Sequence, residues 1–430
     1  MSASNSPAPV GERVELAIER PVAGGWMLAR HNGRIVLIAG AIPGETVRAR
    51  IGRVERGVAF AKVDAILTPS ADRRVPPFDP ACGGGVYAHI RPDAQAAIKR
   101  DVILDGLRRG GGVEWTAPLE VRASPEAGYR LRARLHVSDR RIGFFREGTH
   151  TLCDAGPSAQ LDAGTLDAVT RFVAAHPRLA LEAVEVSENL GGDQRALLLH
   201  EDRQHSRPGR PTAPVAALVD GITGASMSRG GRLLTIAGVP EVSDPIAAIV
   251  DGATGDARLR RHAASFFQAN RYLLGALASA VVAAVPEGPA VDLYAGVGLF
   301  AVGLCATGHD AVVAVEGDPI SGADLRANAR PFGTALGVDT RAVEAFLAET
   351  RLGPDTTVVI DPPRTGLSKA ASAALAGSLV RRLVAVSCDV ATFARDLKVL
   401  RAAGFEMTSL VAFDLFPNTA HVETLAVLQR

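Results

Sequence analysis

From Ser265 onward, short uninterrupted apolar runs (AVDLY, DAVVAVE, TTVVID, RLVAVSC, SLVAFDL, VETLAVL) alternate with alanine-rich stretches of helical spacing. Runs that are apolar at every position predict strands buried on both faces. Strands that alternate with helices predict an α/β, doubly wound, Rossmann-like sheet, here over 256–430. A different pattern fills 10–70, where RVELAIE, RIVLIAG, TVRARIGRV and VAFAKVDAIL are split by the turns AGG, HNGR and IPGE. Several short strands at that spacing predict a small antiparallel β-barrel of OB-like type. The proline- and arginine-rich PSADRRVPPFDP then marks a boundary.

An α+β central domain is expected over 75–255. Its clearest element is a helix at 91–109 with Ile98, Val102, Ile103 and Leu107 on one stripe, which can also pack on the C-terminal domain. YRLRARLHV (129–137) alternates arginine with apolar residues and predicts a strand with one basic face. GGDQRALLLHEDRQHSRPGRPTAP ends in a loop of His, Arg and Pro.

Composition narrows the function classes. With 430 residues, two or three domains are expected, and 47% hydrophobic against 22% charged residues excludes a disordered chain. Lys+Arg 47 against Asp+Glu 46 leaves +1, so contacts to a polyanion must come from local patches. The opening MSASNSPAPV reads as a short disordered tail and not a signal peptide, and no apolar stretch is long enough for a bilayer. Cys82, Cys153, Cys305 and Cys388 follow no disulfide framework. Reduced thiols, cytoplasmic localisation and a monomer are the resulting expectations.

Candidate chemistry gathers at the strand ends. Cys388 follows the apolar run Leu383 to Val386, where open α/β sheets bind ligands, and is a candidate nucleophile. In VDLYAGVGLF, Gly296 and Gly298 form a tight turn that lets backbone amides approach a ligand. Ala301 stands where a dinucleotide fingerprint has its third glycine, and Glu316 ends the next strand as an acceptor for two ribose hydroxyls. The pair fits S-adenosylmethionine better than a phosphate-bearing cofactor. Asp361, followed by Pro362 and Pro363, faces the methyl-donor end, and Glu423 in HVET is the candidate base.

FFQAN, DLYAGVG, DPPRTG, SCDVAT and DLFPNTAHVE, in this order, resemble the motif set of S-adenosylmethionine-dependent RNA uridine carbon-5 methyltransferases, enzymes that make 5-methyluridine in ribosomal and transfer RNA. The resemblance covers nearly the whole chain and implies a class I methyltransferase domain. GAIPGETVRARI in the barrel resembles a TRAM domain, an RNA-binding module of members that act on large-subunit ribosomal RNA. By this resemblance Gln268, Tyr294, Glu316 and Asp361 contact the methyl donor, Cys388 attacks carbon 6 of the uracil, and Glu423 removes the carbon 5 proton. Ribosomal RNA is the favoured substrate and transfer RNA the alternative. A cytosine methyltransferase, or an inactive RNA-binding assembly factor, is the competing reading. Arg48, Arg50 and Arg53 of the barrel and Arg130, Arg132 and Arg134 of the basic strand are the expected RNA contacts.

Three departures accompany the resemblance. Members of this architecture often hold a four-iron cluster on four cysteines, but in PPFDPACGGGVYAHI Phe78 and Gly85 stand where two ligands are expected. Cys82 and Cys153 alone cannot fill such a site, so no metal is expected, with apolar packing around Phe78 and Tyr87 in its place. Asp389 and Val390 replace an Asn-Pro after the nucleophile, and Leu299 replaces a polar residue.

Overall fold

The computed structural model describes residues 9–202, 217–229 and 232–430. The tail up to residue 8 and the His/Arg/Pro loop at 203–216 lie outside them. Strands β1 (Arg13–Val22), β2 (Trp26–His31), β3 (Arg34–Ala39), β4 (Thr46–Glu55) and β5 (Val58–Thr68) close a barrel in the order β1-β2-β3-β5-β4. Period-two alternation turns Val47, Ala49 and Ile51 inward while Arg48 and Arg50 point out. The expected antiparallel barrel contains one parallel pair, β3 with β5. Each barrel arginine expected at RNA meets an acid: Arg48 pairs with Glu15, Arg50 with Asp64 and Arg53 with Glu55.

Helix α1 (Pro92–Gly106) starts with proline at its first position, where the missing N–H has no intrahelical partner to lose. Ile98 enters the barrel core, whereas Ile103 and Leu107 enter the core of the C-terminal sheet. The helix thus joins two hydrophobic cores. After it, β6 (Val121–Arg122) pairs parallel with the edge of the C-terminal sheet.

The central layer holds β7 (Arg132–Ser138), β8 (Arg141–Phe145), β9 (Leu152–Asp154), α2 (Ala163–Ala175), β10 (Leu181–Glu188), β11 (Arg195–Glu201), β12 (Gly224–Arg229) and β13 (Arg232–Gly238). They form a seven-stranded sheet in the order β13-β12-β11-β10-β7-β8-β9, with α2 packed on it through Val169, Phe172 and Val173. β14 (Glu241–Pro245) and β15 (Arg258–His262) pair as a separate two-stranded sheet.

The cysteine expectation is overturned here. Cys82 and Cys153 form a disulfide across 71 positions, because a bridge between Cys82 and Arg146 and the β8–β9 pairing of Phe144 with Cys153 bring the two segments together. Cys305 and Cys388 are free. Phe78 packs in the central core, but Tyr87 goes to the barrel core instead. A Cβ on Gly85 would lie 2.7 Å from Cε2 of Phe78, so the phenyl ring occupies the space a side chain at 85 would need. With that space filled and Cys82 committed to Cys153, the donors do not fit a four-iron cluster.

The C-terminal domain contains α3 (Leu274–Ala283), β16 (Ala290–Leu293), α4 (Leu299–Ala306), β17 (Val312–Val315), α5 (Pro319–Ala329), β18 (Leu336–Asp339), α6 (Val343–Glu349), β19 (Thr357–Ile360), α7 (Lys369–Gly377), β20 (Arg382–Ser387), α8 (Val390–Ala402), β21 (Glu406–Phe413) and β22 (Glu423–Gln429). Its sheet runs β18-β17-β16-β19-β20-β22-β21-β6. Val384 and Val386 face one helical layer while Leu383 and Ala385 face the other, which is why the strand reads as a continuous apolar run. β22 lies antiparallel to both β20 and β21. Among the described residues no helix is long and apolar enough to cross a membrane.

Thiol titration of unreduced, denatured protein should find Cys305 and Cys388 alone, and reduction should release two more. Cys153→Ser should lower the unfolding free energy by about 2–4 kcal/mol in denaturant titration. Four titratable thiols before reduction would refute the pairing. Anaerobically purified protein should also carry no stoichiometric iron, read by metal analysis and visible absorbance.

Candidate functional site

The parallel strands β16, β17, β19 and β20 end on one edge of the sheet, and each delivers a polar residue there. Past β16 the chain bends sharply. Tyr294 has φ 62°, a conformation that costs a non-glycine residue of order 1 kcal/mol or more and is held only by its surroundings. Its buried hydroxyl has no hydrogen-bond partner among the described residues, and burial pushes it up to about 12. Gly296, at φ 57°, donates its amide to Glu316 Oε2 at 2.7 Å, and a Cβ there would meet nothing within 4 Å. The turn is open on that side. Gly298, at φ 94°, begins α4, and a Cβ there would lie 2.7 Å from Leu325 Cδ1, so only glycine fits.

Glu316 accepts a second amide, from Asp318 at 2.6 Å. Each carboxylate oxygen therefore holds one backbone amide and retains lone-pair capacity for a further donor. Asp292, fully buried in β16, accepts the Ala301 amide at 3.0 Å through Oδ2, while its Oδ1 has no partner among the described residues. Burial pushes it well above the usual carboxylate range, and the charges of Asp361 and Glu316 add to this. This residue was not among the expected site residues. Its signal was a lone carboxylate inside an apolar strand.

Asp361, just past β19, accepts a 3.4 Å hydrogen bond from Gln268 Nε2, and dense packing raises it to about 7. Cys388 follows β20 directly and is half-buried. Glu423 opens β22, is buried, and has one oxygen, Oε1, without a partner among the described residues. The antiparallel ladder pairs Ser387 with Thr424, so the residue after β20 and the first residue of β22 reach the same end of the sheet side by side. Burial, then the charge of Asp361, pushes Glu423 well up, while Arg364 opposes.

A cleft of about 370 Å³ opens over Cys388. The barrel contributes Ala23 and Gly24, the central domain Cys82 to Val86 and Arg130, and the C-terminal domain Arg364, Asp389 and Phe416. All three layers thus wall one site. Asp389 accepts the Thr392 amide at 2.8 Å and caps α8, while Val390 packs against Gly106 of α1. The changed Asn-Pro therefore keeps a working helix start. Leu299 is buried in the core at the start of α4.

Residues 7–63 match the family model described as TRAM domain, and 350–430 match tRNA (Uracil-5-)-methyltransferase. An uncharacterised RNA methyltransferase of Corynebacterium glutamicum is 30% identical over 427 residues, covering 98% of this chain and 97% of the relative. The 23S rRNA (uracil(1939)-C(5))-methyltransferase RlmD of Pseudomonas putida is 30% identical over 450 residues, covering 98% and 94%. The chain belongs to the S-adenosylmethionine-dependent RNA uracil carbon-5 methyltransferases. A solved tRNA (uracil-54) methyltransferase of Pyrococcus abyssi, in complex with S-adenosyl-L-homocysteine, shares the fold with a TM-score of 0.73 at 22% identity, covering 96% of this chain and all of that one.

In this methyltransferase the free thiol is held protonated. Burial, then the charges of Glu423 and Asp361, push Cys388 up to about 11, and Arg364 is the cation that pulls it down. Arg364 is exposed and has no ion pair among the described residues. Its place in DPPRTG was visible, but nothing in sequence spacing indicated that its charge is felt at the thiol. Iodoacetamide alkylation of Cys388 should accelerate about tenfold per pH unit below its pKa. Arg364→Gln should slow it roughly three- to tenfold at pH 8, while Cys305, pushed up to about 12 by burial, is unaffected. An unchanged Cys388 rate in that variant would remove Arg364 from the account.

Proposed function

We propose that the enzyme methylates carbon 5 of a uridine in large-subunit ribosomal RNA, with Cys388 as nucleophile and Glu423 as proton acceptor. The observation that carries this reading is the meeting of Cys388 and Glu423 at one sheet end, beside Asp361, under a cleft walled by all three layers. Support for ribosomal RNA is the near full-length relative named as a 23S rRNA methyltransferase, together with the TRAM match.

Orphaned polar atoms at the strand ends, Tyr294 Oη and Glu423 Oε1, with the open face of Gly296, fit a bound methyl donor. Glu316 and the Gly296–Gly298 turn would hold its adenosine part, and Gln268, Tyr294 and Asp361 its methyl-bearing part. S-adenosylmethionine supplies an electrophilic methyl group on a cationic sulfur, whose charge also counters the carboxylates gathered there. With its proton lost to solvent, the Cys388 sulfur bonds to carbon 6 of the uracil, and carbon 5, made electron-rich, takes the methyl group while the donor's sulfur–methyl bond breaks to leave S-adenosyl-L-homocysteine. Glu423 then removes the carbon 5 proton, the electron pair re-forms the ring double bond, and the carbon–sulfur bond breaks to return the thiolate.

A 23S rRNA transcript carrying 5-fluorouridine should trap a covalent adduct through Cys388, and Cys388→Ala should form none. Glu423→Gln should accumulate methylated, enzyme-bound RNA and turn over roughly 10²–10⁴-fold more slowly. Methyl transfer to tRNA alone would redirect the substrate. RNA binding with transfer to neither substrate would favour the assembly-factor reading.

A further inference from the structure

Most arginines expected at RNA are already neutralised. Arg132 and Arg134 in β7 pair with Glu185 and Glu182 of the neighbouring strand β10, and the barrel arginines are paired as described. Arg130 is different. It precedes β7, and its backbone is fixed by the bridge to Asn270 and by donating its amide to Gln160 O at 2.9 Å. Its guanidinium carbon lies 5.6 Å from the ring centroids of both Phe144 and Phe416. Its Nε is buried without a hydrogen-bond partner, and among the described residues no carboxylate pairs with it.

Two rings at cation–π distance hold a guanidinium in place and leave its charge without a counter-ion. Such a group is preorganised for a planar, bidentate contact with an anion. Arg130 lines the Cys388 cleft, and its charge is felt at His421, which lines it too. Uracil is neutral, so the anion that enters with an extruded nucleotide is its phosphodiester.

We propose that Arg130 is a positioning residue that grips the backbone phosphate of the extruded target uridine and so holds carbon 6 over the Cys388 sulfur. This rests on the reading of Cys388 as nucleophile. Extrusion costs a few kcal/mol of stacking, which a charge-assisted contact made only in the extruded state would help offset.

The test uses full-length wild type, Arg130→Gln and Arg130→Lys, with a 23S rRNA transcript made with 5-fluorouridine. Arg130→Gln should reduce the log–log salt slope of RNA binding by roughly 0.7, the contribution of one single-strand phosphate. At saturating RNA it should also slow adduct formation roughly 10–100-fold. Arg130→Lys should keep the salt slope while still slowing the adduct, because the charge remains and the planar two-donor fork is lost. Methyl-donor affinity and RNA-free alkylation of Cys388 should match wild type, which separates positioning from misfolding. An unchanged salt slope in Arg130→Gln overturns the phosphate contact, whatever the adduct rate. Absence of an adduct in wild type would instead sink the Cys388 reading, and the salt slope would still judge Arg130.

Discussion

The buried ion pair between Lys99 and Asp414 holds the rest of the site in place. Lys99 lies in α1, whose neighbours reach the barrel and the C-terminal sheet, and Asp414 begins the loop that leads from β21 into Glu423. Both side chains are almost fully buried, which pushes Lys99 down and Asp414 up, and each is drawn back by the other's charge. Removing one partner of such a pair typically costs about 3–5 kcal/mol, because the survivor is left charged and dry. Lys99 also donates to Phe416 O, and Gln95, one turn earlier, donates to Asn418 Oδ1 and accepts the Asn418 amide. One helix face thereby fixes the loop that forms a wall of the cleft and carries Phe416 against Arg130.

The site's chemistry depends on a change of strand direction. Five parallel strands bring their C-terminal ends to one edge, as open α/β sheets do, but a sixth parallel strand would bring its start to the far side. Because β22 runs antiparallel, it contributes a residue from its beginning beside one from the end of β20. A thiol and a carboxylate 35 positions apart in the chain thus meet through one ladder register. Burial raises Asp292, Asp361 and Glu423 alike, and the charge of Asp361 adds to it at Asp292 and Glu423.

Much of this was legible in the chain. Strands buried on both faces betray themselves as apolar runs, and tight turns need glycine, so β16, β17, β19, β20, Gly296 and Gly298 could be read directly. Edge elements left weaker traces: β18 is LGVD with one buried residue, and β6 is two residues long. Pairings across strands left none. The basic face of YRLRARLHV could be read, but that Arg132 and Arg134 face acids on β10 while Arg130 lies between two rings depends on the order of strands in the sheet. The Cys82–Cys153 bond was hidden for the same reason, since it takes the Cys82–Arg146 bridge and the β8–β9 pairing together to make the two positions neighbours.

Phe78 and Gly85 constrain each other like the two halves of a lock. A cysteine at 85 alone would collide with the phenyl ring, and a cysteine at 78 alone would leave the ring's volume empty in the core. Either first step is worse than the present state, and each becomes tolerable only after the other. The disulfide adds a third barrier, since Cys82 and Cys153 would also have to be released before they could serve as ligands. With this arrangement no single substitution supplies the four thiolates of a cluster, because positions 78 and 85 must change together and the disulfide must open as well.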